Sequence, residues 1–183
     1  AVIISSGFDK LNLHGLLTII LVLVTSPVIG FIVGNIIFRT LKFLSRNATP
    51  AVNNYFKRLQ IFSAIGLALS HGGNDAQKTM GIITMTLVSY NHFKGTEMNF
   101  AVPYWVIVVC AVAIGSGTAF GGWKIIKTVG GKIYKLRPIH AFASQGASAG
   151  VIFTAALMGG PVSTTHVVSS SIMGVGSAER IKA

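Results

Sequence analysis

The stretch SHGGNDAQK, residues 70–78, sets an acid, a lysine, an amide and a histidine inside an otherwise apolar part of the chain. Ionisable side chains within a membrane-spanning segment are energetically costly, and they usually face a pathway for an ion or a solute. The apolar runs around this stretch therefore indicate a membrane protein with a polar site at depth.

The composition of the whole chain supports this interpretation. Of its 183 residues, 51% are hydrophobic and only 10% are charged, and its mean hydropathy is +0.68. A soluble domain carries about 25% charged residues. The net charge of +11 does not indicate a nucleic-acid-binding protein, because the basic residues lie almost wholly between the apolar runs, as in cytoplasmic loops. The single cysteine, Cys110, excludes an intrachain disulfide.

Two apolar runs, residues 15–38 and 102–120, are long enough to cross a bilayer as helices, which takes about 20 residues. Basic residues follow both runs, in segments 39–58 and 121–137, whereas segment 91–100 is nearly neutral. Because cytoplasmic loops are enriched in Lys and Arg, we expect the two basic segments inside and the neutral one outside. The chain is thus expected to lie in the plasma (inner) membrane as a multi-pass protein.

With this topology, residues 59–90 must cross the membrane once. As a single helix they would be about 48 Å long at 1.5 Å per residue, which exceeds the roughly 30 Å hydrocarbon core. We therefore predict two helical pieces, 59–70 and 79–90, joined by an irregular segment 71–78. Non-helical backbone at this depth is tolerated where it is buried in protein or lines a cavity.

A second interruption, GGPVSTTH at residues 159–166, separates the small-residue-rich segment 141–158 from segment 167–178. If both flanks are cytoplasmic, the chain enters and returns as a re-entrant hairpin with its tip near 161–166, and two short full spans are the alternative. The predicted fold class is all-α, a polytopic membrane helix bundle with broken helices and this hairpin.

The hydroxyl run of the second interruption is a candidate anion site. Pro161 suits the first turn of a helix, and Ser163, Thr164 and Thr165 follow it. Free amides and hydroxyls at a helix start bind oxyanions, helped by the positive end of the helix dipole. Hydroxyls add no fixed charge, so the anion can also be released. An ordinary helix cap is the alternative.

The first interruption is a candidate cation site. Asn74 and Asp75 offer hard oxygen ligands suited to Na⁺, and protonation of Asp75 is the other coupling route. Lys78 is a candidate to face the anion, with an Asp75–Lys78 ion pair as the alternative. Gln77 is a candidate to offer its amide to either ion, and to phosphate in the first place. The two histidines near the interruptions, His71 and His166, are candidates for a proton relay or for buried hydrogen-bonding groups.

Together these motifs resemble the PiT family of inorganic phosphate transporters in its bacterial low-affinity form. The resemblance covers residues 59–180. It rests on three ordered elements: residues 70–81, which look like the family's second Asn-Asp signature; residues 122–130 with 135–138, which resemble the following loop; and residues 161–166 with 172–176, which resemble its Pro-x-Ser-x-Thr-His element.

The resemblance implies a carrier of inorganic phosphate, driven by Na⁺ or H⁺, that is not an enzyme and uses no cofactor. It implies two inverted repeats with the site between them. In this chain, Asn74 and Asp75 would serve the coupling cation, as ligands of Na⁺ if sodium is used. The hydroxyls of Ser163, Thr164 and Thr165 would serve phosphate.

The chain shows one copy of each element, which resembles the second repeat. We therefore divide it into residues 1–58, with the first spanning helix and a basic cytoplasmic loop, and residues 59–183, the second-repeat transport region. We interpret the sequence as a fragment whose first repeat and final span are missing, and a homodimer stays open. The alternatives are a carrier for another oxyanion such as sulfate, or a membrane subunit that does not itself transport.

Overall fold

The computed structural model describes residues 12–46, 52–93, 101–128, 137–160 and 162–180. Within these ranges the chain forms five helices and no strand, which confirms the all-α prediction. The helices are α1 (Leu13–Leu44), α2 (Val52–Phe93), α3 (Tyr104–Thr128), α4 (Pro138–Leu157) and α5 (Thr164–Arg180).

Two of these helices are long and apolar enough to cross a membrane: α1 and the Tyr104–Trp123 part of α3. They coincide with the two spans predicted at residues 15–38 and 102–120. Only 11% of the apolar window of each is buried within the chain, and large apolar side chains such as Leu17, Leu21 and Val108 are more than half exposed. Such a surface requires a lipid or protein covering.

The predicted break at residues 71–78 is wrong, because α2 runs without interruption from Val52 to Phe93. A continuous helix satisfies every interior backbone amide, which is the least costly solution at membrane depth. The polar residues His71, Asn74, Asp75 and Lys78 follow a helical i, i+3, i+4, i+7 spacing, so one helix face groups them without unwinding.

The length of α2 also differs from the prediction. The helix begins seven residues before the predicted span, in a segment that carries Asn53, Asn54 and Lys57. At 1.5 Å per residue its 42 residues extend about 63 Å. It therefore need not fit within the hydrocarbon core, since tilt and polar extensions accommodate the excess.

The second interruption is confirmed, because α4 ends at Leu157 and α5 begins at Thr164. Gly159 has a φ of 70°, in the left-handed region that glycine adopts most readily. The N–H of Gly159 donates to the Ala156 carbonyl (3.1 Å), and that of Gly160 donates to the Ala155 carbonyl (2.9 Å). This is the glycine-capped helix end that reverses the chain. The depth of the resulting α4–α5 hairpin in the bilayer stays a prediction.

Small residues allow α1 and α5 to cross with their backbones in close contact. Gly30 and Gly34 form a Gly-x-x-x-Gly pair on α1, a pattern that favours close packing of membrane helices. A Cβ at Gly34 would lie 2.6 Å from the Ser171 carbonyl oxygen. The Ser171 hydroxyl donates to the Gly30 carbonyl (3.1 Å), and the Asn35 amide donates to the Gly174 carbonyl (3.2 Å).

The open end of the α4–α5 hairpin is held by a buried histidine. His140 is 1% exposed, and its Nε2 lies 3.3 Å from Glu179 Oε2. Its Nδ1 accepts a hydrogen bond from the Arg137 N–H (3.2 Å), so the neutral ring carries its hydrogen on Nε2. The Phe38 ring packs 4.9 Å from the imidazole. His140 thereby joins three helix ends: the start of α4, the end of α5 and the end of α1.

The α1–α5 crossing generates a stability prediction. Replacement Gly34→Ala places a methyl group against the α5 backbone, which cannot move aside as a side chain can. Overpacking of this kind costs about 1–3 kcal/mol. We expect the melting temperature of the purified full-length protein to fall by several degrees.

The matched control is Gly115→Ala on α3, where an added Cβ meets nothing within 4 Å among the described residues. This variant should melt at or above the wild-type temperature, because alanine favours helix over glycine. Equal melting temperatures for Gly34→Ala and the wild type would contradict the close crossing.

Candidate functional site

The polar face of α2 meets the chain just before and at the start of α5. The α2 side chains in this contact are those of His71, Asn74 and Lys78, and their partners on the other side are Val162 and Thr164. The two sequence motifs, separated by more than eighty residues, therefore form one site. The prediction of a carrier required the two motifs to meet. They do so although α2 is unbroken.

The Val162 carbonyl is the centre of the contact. The N–H of Val167 donates to the Ser163 carbonyl (3.0 Å), which makes Ser163 the N-cap residue and leaves the Val162 carbonyl outside the α5 hydrogen-bond ladder. Two α2 side chains donate to it instead, Asn74 Nδ2 at 3.4 Å and Lys78 Nζ at 3.0 Å. Asn74 is 5% exposed, so its amide is committed to this contact.

The carboxylate of Asp75 is surrounded by donors from its own helix. His71 Nε2 lies 3.2 Å from Oδ2, while Lys78 Nζ lies 3.5 Å and Asn74 Nδ2 3.3 Å from Oδ1. His71 Nε2 also lies 3.2 Å from the Thr164 hydroxyl, so the imidazole connects Asp75 to the start of α5. The Asp75–Lys78 ion pair considered from the sequence is therefore present as part of a larger network.

One side of this network remains open. The side chains of His71, Asp75 and Lys78 are 38%, 39% and 45% exposed, whereas Thr164 is buried at 4%. The site thus has a floor formed by α2 and the start of α5, and an accessible face above it.

The remaining predicted site residues lie at the edge of this contact. Ser163 is half-buried, while Thr165, His166 and Gln77 are exposed, and the last three take no part in the hydrogen bonds given above. Pro161 lies outside the described residues. The structure therefore brings His71, Asn74, Asp75 and Lys78 to residues 162–164, and it leaves the other three facing outward.

Two features of this region were not predicted from the sequence. The Val162 carbonyl is a backbone group and carries no residue-specific signal, and its position between a proline and a hydroxyl run is the one local pattern that marks it. The second feature is the bond that Ser63 Oγ on α2 donates to Gln145 Oε1 on α4 (2.6 Å). The signal for it was present, since Gln145 is the sole amide side chain in the small-residue segment of α4.

This arrangement places groups that bind anions beside groups that bind cations. The first turn of α5 offers an anion hydroxyls and amides that lie outside the helix hydrogen-bond ladder, while the Asp75 carboxylate and the Val162 carbonyl are hard oxygen ligands for a cation. The described residues contain no cluster of three or more His, Cys, Asp or Glu side chains. A bound cation would therefore rest on one carboxylate with amide and carbonyl oxygens.

Comparison with known proteins gives close relatives among bacterial transporters. The chain is 46% identical over 184 residues to a Bacillus subtilis protein named "Probable low-affinity inorganic phosphate transporter", covering 100% of this chain and 54% of that protein. A Rhizobium meliloti protein of the same name is 44% identical over 179 residues, covering 97% and 53% respectively. The chain thus spans about half the length of these curated relatives.

A solved structure named "The sodium-dependent phosphate transporter" has the same fold. It superimposes with a TM-score of 0.82 at 23% identity, covering 98% of this chain and 62% of that one. At the sequence level, residues 45–183 match the phosphate transporter family. Given this match, and the identity to the Bacillus subtilis relative along the whole chain, the chain belongs to the phosphate transporter family and is a membrane protein.

Proposed function

We propose that this protein carries inorganic phosphate across the plasma membrane by alternating access, coupled to Na⁺ or H⁺. The observation that carries the proposal is the contact between the polar face of α2 and the start of α5. The names of the curated relatives support phosphate as the substrate and a transporter rather than an enzyme, and the name of the similar solved structure supports a coupling cation.

Phosphate is bound at the start of α5. The first-turn amides and the hydroxyls of Ser163, Thr164 and Thr165 donate hydrogen bonds, and the helix dipole adds a favourable potential. The Lys78 ammonium, on the polar face of α2, adds a charged donor. The Gln77 amide faces outward and reaches the anion when its side chain reorients. Because most of these donors are neutral, they bind phosphate without holding it by fixed charge, and the anion can also be released.

The coupling cation is bound by Asn74 and Asp75. A carboxylate this close to the start of α5 repels a phosphate ion bound there, because both groups are negatively charged. A cation or proton at Asp75 removes that repulsion. Each ion therefore raises the affinity for the other, which is the thermodynamic basis of coupled transport.

In a proton-coupled cycle, His71 is the relay residue that the geometry supports best, because its Nε2 contacts both Asp75 and Thr164. His166 is exposed and stays a second candidate.

The open face of the site is covered by the first repeat of the same protein. Transporters with inverted repeats bind substrate between the repeats, and rocking of one repeat against the other exposes the site to each side in turn. A homodimer would place two such sites in one assembly.

Replacement of Asp75 by asparagine tests the coupling role. We expect Asp75→Asn in the full-length protein, reconstituted alone in liposomes, to lose concentrative uptake of radiolabelled phosphate by about tenfold or more, because the amide carries no charge for the cation to neutralise. One tenfold step corresponds to about 1.4 kcal/mol of coupling. Exchange of internal for external phosphate should persist, which also shows that the variant is folded.

The control is Asp75→Glu, which keeps the carboxylate and should retain part of the concentrative uptake. Full accumulation by Asp75→Asn would remove Asp75 from the coupling role. Absence of phosphate flux in the wild-type protein itself would instead indicate a subunit that does not transport.

Replacement of Thr164 by valine tests the anion site. The variant keeps the shape of the side chain but removes a hydroxyl donor, and a lost hydrogen bond to a charged ligand costs about 1.5–3 kcal/mol. We expect the KM for phosphate uptake to rise by about tenfold or more, while Thr164→Ser stays near the wild type.

The matched control is Thr154→Val on α4, where the Thr154 hydroxyl donates to the Gly150 carbonyl of its own helix (2.8 Å). Equal KM values for both valine variants would refute the assignment.

A further inference from the structure

We propose that the Lys78 ammonium is a tethered cation that holds the position of the coupling cation while the site is empty, and that the external cation must displace it. This inference rests on the proposed function, because it concerns the cation site assigned there. In this proposal the Lys78 ammonium has two positions, one at the cation site and one facing phosphate.

The geometry of the ammonium is that of a bound cation. Lys78 Nζ lies 3.0 Å from the Val162 carbonyl oxygen and 3.5 Å from Asp75 Oδ1. A backbone carbonyl outside the helix ladder, combined with a carboxylate, is the kind of oxygen set that binds Na⁺ in carriers with interrupted helices. An external cation bound by the same two oxygens would occupy the space now filled by the ammonium.

An ordinary ion pair on a helix surface does not explain this position. An Asp–Lys pair at i, i+3 requires only the carboxylate, whereas here the shorter bond goes to a carbonyl 84 residues away. That carbonyl lies just before α5, and the buried Asn74 amide donates to it as well. The contact between α2 and the start of α5 therefore builds the position of the ammonium.

The lysine is also free to leave. Its side chain is 45% exposed, and an ammonium on a four-carbon stem can reorient by rotation without repacking of the helices. A phosphate at the start of α5 would attract it, because Val162 directly precedes the residues that bind the anion. Movement of the ammonium toward phosphate would vacate the oxygens of Val162 and Asp75 for the external cation.

Competition between the Lys78 ammonium and the external cation sets the order in which phosphate and the cation bind. Without phosphate, the ammonium excludes the external cation, and with phosphate it releases the cation position. Phosphate therefore raises cation affinity through Lys78, and by reciprocity the cation raises phosphate affinity. The ammonium links the two ligands at one site.

The test measures Na⁺ binding to the purified full-length protein by radiolabelled Na⁺, with and without phosphate. For Lys78→Met without phosphate, we expect the half-saturating Na⁺ concentration to be lower than in the wild type by about tenfold or more. Phosphate should lower this concentration less in Lys78→Met than in the wild type, because only the direct repulsion between Asp75 and phosphate then couples the two ions. Lys78→Arg keeps a tethered cation and should bind Na⁺ weakly without phosphate, as the wild type does. The matched control Lys57→Met removes an exposed lysine earlier on the same helix and should bind Na⁺ as the wild type does.

An unchanged or weaker Na⁺ affinity in Lys78→Met would overturn the inference, as would the absence of Na⁺ binding in both proteins. If Lys78→Met does not fold, the wild type keeps the inference falsifiable, because phosphate must lower its half-saturating Na⁺ concentration and the lack of such an effect contradicts the ordering. Failure of the proposed function is separate, since it is a failure of the protein to bind or carry phosphate. The Na⁺ comparison without phosphate does not depend on that result.

Discussion

The Val162 carbonyl joins the two parts of the candidate site, because Asn74 and Lys78 of α2 both donate hydrogen bonds to it. Val162 is 1% exposed, and a buried carbonyl outside a helix ladder is costly unless a donor reaches it. The chain meets this requirement with side chains from a distant helix, and the consequence is that α2 and the start of α5 cannot be placed independently. The neighbouring carboxylate, imidazole and hydroxyl are brought together by the same contact.

The rest of the fold holds this contact in position. The glycine-capped turn at Gly159 directs α5 back along α4, and the close crossing at Gly34 and Ser171 fixes α5 on α1. His140 and Glu179 hold the far end of the hairpin. Small residues and buried hydrogen bonds predominate in these contacts, as expected where lipid removes most of the hydrophobic driving force between helices.

The sequence predicted those features that depend on composition and local pattern. Hydropathy located α1 and the Tyr104–Trp123 part of α3, and the Gly-Gly-Pro stretch located the turn between α4 and α5. The polar residues of the site were also identified, because charges and amides are rare in apolar runs. The break in α2 was predicted wrongly, since the estimate of length confined residues 59–90 to the hydrocarbon core, whereas the helix runs unbroken from Val52 to Phe93. The role of Val162 could not be predicted, because a backbone carbonyl has no residue-specific signal and its partners lie more than eighty residues away.

The central claim is that phosphate binds where the polar face of α2 meets the start of α5. The most direct test is an experimental structure of the full-length protein determined in the presence of phosphate. We predict density for the anion within hydrogen-bonding distance of the Thr164 hydroxyl and the first-turn amides of α5, beside the side chains of Asp75 and Lys78. Ordered phosphate at any other place in the protein, with this contact empty, would contradict the account.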